Sequence, residues 1–179
     1  EWVHKYFDEI KRGEDVVPNK KQPAVLTESR KVMFEDSLAE IVALAVLMPL
    51  VASMGGITGR QTLSTVIRRM ALGQITDENQ ALIMRRELAV GVCNGVLWAI
   101  VGSILAGIWF TDMRVAIALA VGLSVNISIA AWAGMVIPLL LKRMGIDPAI
   151  SGAVILTTVT DIVGFVSFLG TATVILSLS

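Results

Sequence analysis

Four apolar runs, separated by short charged clusters, constrain this chain more than any other feature of its sequence. They cover residues 41–67, 88–110, 115–141 and 149–178, the first beginning near Leu38. At about 1.5 Å of rise per helical residue, each exceeds the roughly 30 Å of hydrocarbon in a bilayer. Composition agrees: 55% of the residues are hydrophobic and 17% charged, where a soluble domain carries about a quarter charged residues. Beyond Leu88 the charges are Asp112, Arg114, Lys142, Arg143, Asp147 and Asp161. The pattern predicts an all-α membrane protein, a polytopic bundle with four visible transmembrane spans.

Several function classes are excluded or left without support. Formal net charge is zero, so overall balance implies neither nucleic acid nor an acidic partner. Cys93 is the single cysteine and stands in an apolar stretch, which supports no disulfide or thiolate metal site. The single histidine, His4, lies in a polar segment. No nucleophile–base–acid set can be assembled, so no enzymatic activity is expected. The charged, mixed N-terminus shows no signal-peptide pattern.

Residues 1–34 form a polar N-terminal segment. In "EWVHKYFDEIKRGED", Trp2, Tyr6 and Ile10 share a helical stripe, suited to a membrane surface, a partner or a connector; "VVPNKKQP" reads as linker. Loop charge orients the spans. Arg68, Arg69, Arg85 and Arg86 flank one loop and Lys142 and Arg143 the other, so both basic loops are expected in the cytoplasm. Trp109 marks the opposite interface, and the C-terminus is expected outside. This orientation puts Glu35 and Asp36 outside. The N-terminal segment is then external, or a spanning helix is missing from the sequence near residues 20–34.

Asp161, in "TTVTDIVGF", is the sharpest chemical feature. A carboxylate at bilayer depth costs roughly 2.5–3.5 kcal/mol on insertion scales, so it should face protein, water or a cation. Thr157, Thr158 and Thr160 lie within a turn of it. The alternative is a structural acid bonded to a neighbouring hydroxyl. In "MPLVASMGGITGRQT", Pro49 removes a helical hydrogen bond and Gly55, Gly56 and Gly59 remove bulk, which suits either carbonyl ligands facing a cavity or a glycine-mediated helix crossing. Arg60-Gln61 replaces the Lys-Ser/Thr of a phosphate loop. Asn126 is expected to bond between helices. Asp147 before Pro148 reads as a helix cap, and Glu87 complements a helix dipole; either acid is also a candidate cation ligand at the cytoplasmic mouth. All-oxygen donors suit a hard cation, and Mg²⁺, which keeps its waters, fits a site with one carboxylate per chain.

The ordered pieces "PLVASMGGITGRQ", "RRMALGQI", "RRELAVG", "PLLLKRMGIDPA" and "TTVTDIVGF" resemble the membrane domain of the MgtE magnesium channel family over residues 35–179. The resemblance implies a homodimer of five-helix subunits with the pore between them, lined by the second and fifth helices. It implies that Asp161 binds the permeating Mg²⁺. The lining would include Gly55, Gly56, Thr58 and Gly59 on one helix, and Ala153 and Thr157 on the other. It further implies cytoplasmic magnesium-sensing N-terminal and CBS domains in a full-length chain, with residues 1–15 as the end of a connecting helix, and residence in the plasma (inner) membrane. The family's first spanning helix would precede "FEDSLAE". Ile57 stands where the family pattern "GGNTG" has Asn, which removes a polar side chain from the pore motif. The rival expectations are a proton- or sodium-coupled secondary transporter, and a membrane scaffold in which Asp161 merely bonds helices.

Overall fold

The computed structural model describes residues 24–76 and 78–177, with side chains from residue 38 onward. The expectations for residues 1–15 and for the linker lie outside the described residues. Two compact units are distinguished, Glu1–Glu40 and Ile41–Ser179. The described residues contain helices α1 (Ala24–Ala71), α2 (Gln80–Phe110), α3 (Met113–Arg143) and α4 (Pro148–Ser177), and no strand. Four segments are long and apolar enough to cross a membrane: Leu38–Ala71, Gln80–Phe110, Met113–Arg143 and Pro148–Ser177.

Each connection is closed by local chemistry that the sequence supplies. After α1, Gly73 takes a positive φ of 67°, the region glycine enters without penalty. Asn79 then staples the turn, its Oδ1 accepting from Thr76 N at 2.9 Å and its Nδ2 donating to Gln74 O at 2.9 Å. Between α2 and α3, Asp112 accepts from Arg114 N at 2.8 Å and thereby caps α3. Burial pushes the Asp112 carboxyl up, but the side chain, backbone N–H and charge of Arg114 outweigh it and hold the group below its ordinary value. At the end of α3, Ile146 N donates to Leu141 O and Gly145 N to Lys142 O, a Schellman motif made possible by Gly145 at φ 73°. Asp147 Oδ1 accepts from Ala149 N at 2.8 Å, so it caps α4 as Pro148 foreshadows.

α3 is the central helix of the Ile41–Ser179 unit, with 56% of its most apolar window buried against 22–28% for the other spans. Its neighbours approach it through small residues. A Cβ on Gly91 of α2 would stand 2.3 Å from that of Ala131, and one on Gly122 would stand 2.9 Å from that of Phe168 on α4. Both flanking helices bury a stripe at four-residue spacing: Ala43, Leu47, Val51, Gly55, Gly59 and Leu63 on α1, and Gly152, Leu156, Thr160, Gly164, Phe168 and Ala172 on α4. Such i±4 rows are the ridges by which helices interlock.

Two apolar clusters result. One gathers Leu47, Val51, Leu123, Ile127 and Phe168; the other Leu63, Ala133, Ile137, Leu141 and Leu156. Between them, α1, α3 and α4 supply a layer of small and polar residues, with Gly55 and Gly59, Asn126 and Ala130, and Thr160 and Gly164 all buried. The exposed large side chains of α2, among them Leu97, Ile104, Ile108 and Trp109, form a surface suited to lipid.

Candidate functional site

Asp161 lies thirteen residues into α4, at the depth of the small-residue layer. It is half-buried and has no hydrogen-bond or ion-pair partner among the described residues. Helical spacing sets Ala153, Thr157 and Asp161 one turn above another along one shoulder of the buried stripe, and all three are half-buried. The threonine hydroxyls are oriented by their own helix. Thr157 Oγ1 donates to Ala153 O at 2.9 Å, Thr158 Oγ1 to Val154 O at 3.1 Å, and Thr160 Oγ1 to Thr157 O at 3.0 Å. With its hydrogen committed to a carbonyl, the Thr157 oxygen offers lone pairs, which is what the water shell of a cation requires.

The glycines of α1 divide between two environments. A Cβ on Gly55 would stand 2.3 Å from Asn126 Nδ2, and one on Gly59 would stand 3.1 Å from the Leu156 methyls. Both glycines therefore serve close helix approach inside the chain. On Gly56 the nearest atoms a Cβ would meet are those of the Arg60 guanidinium, from 3.6 Å. Thr58 is half-buried, while Ser53, Ile57, Arg60, Gln61 and Ser64 are exposed. Asn126 acts between helices as expected, donating from Nδ2 to Val51 O at 2.7 Å, and its buried Oδ1 has no hydrogen-bond partner among the described residues.

The acids proposed for the cytoplasmic mouth are both engaged. Glu87 Oε1 pairs with Arg69 Nη1 at 3.2 Å, tying the last turn of α1 to α2 two turns past its start and so beyond the first turn where it was expected to complement the helix dipole, and Asp147 is the cap described above. Among the described residues no three His, Cys, Asp or Glu side chains gather closely enough to hold a metal ion. The candidate site in one chain is thus a single carboxylate beside a hydroxyl row. Such a site can attract a hydrated cation without stripping it. Arg60 is the residue whose place sequence reasoning missed: its spacing from Ala71 already put a charge well inside a span.

A family profile described as MgtE, divalent cation transporter, matches residues 48–171. The magnesium transporter MgtE of Bacillus subtilis is 31% identical over 140 residues, covering 78% of this chain and 31% of the relative. Its namesake from Enterococcus faecalis is 27% identical over 72% of this chain and 28% of its own length. That of Thermus thermophilus is 28% identical over 85% and 34% respectively. The chain therefore spans about a third of the length of the curated relatives it matches. With the profile covering well over half of its residues, this helical membrane chain belongs to the MgtE family of divalent cation transporters.

Proposed function

We infer that this chain forms the pore-lining membrane part of a magnesium channel, working as a homodimer. The observation that carries the reading is Asp161: a half-buried carboxylate without a protein partner among the described residues, thirteen residues into a span, beside an oriented hydroxyl. Uncompensated charge at that depth calls for water or a cation. Two copies related by a two-fold axis would bring two carboxylates together, which matches the charge of one divalent ion. Mg²⁺ would pass with much of its water shell, held by Asp161 and guided by Thr157 and Ala153 on α4. Gly56 and Thr58 would shape the facing wall, while Gly55 and Gly59, turned into the chain's own packing, would let α1 lie close behind it. The basic loops would lie in the cytoplasm, where sensing domains of a full-length protein would set the open fraction, and the membrane would be the plasma (inner) membrane.

Asp161→Ala in proteoliposomes tests the assignment. Mg²⁺ flux should vanish while helicity and oligomeric state stay unchanged; flux at the wild-type level would overturn it. Flux should also persist with no pH or Na⁺ gradient, and a strict requirement for either would mark coupled transport instead.

A further inference from the structure

Counting from the ends of the four spans, Arg60 and Asp161 are the two charged side chains that lie more than ten residues from any end. Arg60 stands eleven residues before Ala71 and is exposed. Its guanidinium folds back over Gly56, away from the nearer helix end, as the Cβ position of Gly56 at 3.6 Å from Nη2 and 3.7 Å from Nη1 reveals. A long basic side chain near a bilayer surface normally reaches outward to the headgroups. Arg60 does the opposite, and it makes no hydrogen bond or ion pair among the described residues.

The two charges share a depth. α1 and α4 run antiparallel, and the places where a glycine Cβ would touch the opposite helix give their register. Gly152 meets Leu63, Gly59 meets Leu156, and Gly164 meets the Cα of Ala52. Asp161 falls between the second and third of these contacts, level with the turn of α1 that holds Gly55 and Gly56. The guanidinium lying over Gly56 is therefore at the carboxylate's level. Opposite charges that each lack a partner at one depth of a membrane attract strongly, because little water screens them.

We propose that Arg60 is a tethered cation that competes with the permeating divalent ion for Asp161, and so sets the concentration at which this pore fills. The proposal rests on Asp161 being the ion site, as inferred above. Arg60 acts through Asp161 and is a specificity-determining residue rather than a ligand. Losing its charge should tighten divalent binding, while a basic replacement should preserve the wild-type value.

The test uses the full-length protein in proteoliposomes and compares wild type, Arg60→Gln, Arg60→Lys, Asp161→Asn and the double variant. Mg²⁺ is the probe, read by flux and by direct binding. Arg60→Gln should lower the half-saturating Mg²⁺ concentration at least about fivefold, the lower end of ordinary site–site coupling. Arg60→Lys should stay near wild type, and the Gln substitution should have no effect when Asp161 is already Asn. If Asp161→Asn abolishes binding but Arg60→Gln leaves the half-saturating concentration unchanged, the competition is overturned and the ion site stands. If Asp161→Asn binds and conducts as wild type does, the ion site falls and the competition with it. If Arg60→Gln fails to fold, Arg60→Lys still decides, since a Lys variant shifted as far as the loss of charge predicts would overturn a role for charge alone.

Discussion

At the residue scale, the pairing of Gly55 with Asn126 determines how closely α1 and α3 can approach. The amide is fully buried and fixed by its bond to Val51 O, so it has little freedom to retreat from an added methyl group. Gly55→Ala should therefore destabilise the solubilised protein by about 1–3 kcal/mol, the ordinary cost of overpacking. Asn126→Ala should restore part of that loss in the double variant, measured as thermal midpoints in detergent. Strict additivity of the two substitutions would show that the contact is unimportant. The bonding role of Asn126 was legible from a lone amide in an apolar run. Its partner was not, because a backbone carbonyl of another helix leaves no mark in sequence. Asp161 was legible for the opposite reason: charge amid apolar residues is conspicuous without any knowledge of the fold.

At the scale of elements, helix ends carry the clearest dependence on conditions. Asp112→Ala removes the cap of α3 and should cost about 1 kcal/mol. Because the folded-state carboxyl of Asp112 is held below its ordinary value, its stabilisation is complete above the unfolded value, about 3.9, and is lost as pH falls through the folded value. The stability gap between wild type and Asp112→Asn should accordingly narrow in acid, and a gap that widened would contradict the pairing with Arg114. Hydropathy located the four spans but not their full helices. α2 begins at Gln80, eight residues before the apolar run, and α1 is already helical at Ala24 within the segment read as polar. Apolar runs mark the stretch that crosses lipid, whereas polar turns outside it can stay helical through local hydrogen bonds alone. Pro49 has no backbone N–H and so removes one helical hydrogen bond, but α1 continues through it, as α3 does through Pro138.

At the scale of the whole molecule, the proposed two-fold pore predicts which surface meets its copy. In a Cys93→Ser background, Thr157→Cys should form an intersubunit disulfide on mild oxidation. Ile162→Cys, exposed on the side of α4 away from its buried stripe, should stay monomeric on a denaturing gel. The reverse pattern would place the seam on another face. The seam was suggested by the family resemblance, and two facing carboxylates would match the charge of one divalent ion. Amino-acid order alone carries no record of which flank of α4 that seam uses.

The layer of glycine, alanine and short polar residues between the two apolar clusters has a spatial consequence. Where backbones nearly touch, three helices occupy less cross-section than they do where leucines and phenylalanines keep them apart. Close backbone approach at that level draws α1, α3 and α4 together. Under the function proposed above, helices drawn together there would leave lateral room for a bulky magnesium ion dressed in its waters, at the depth of Asp161.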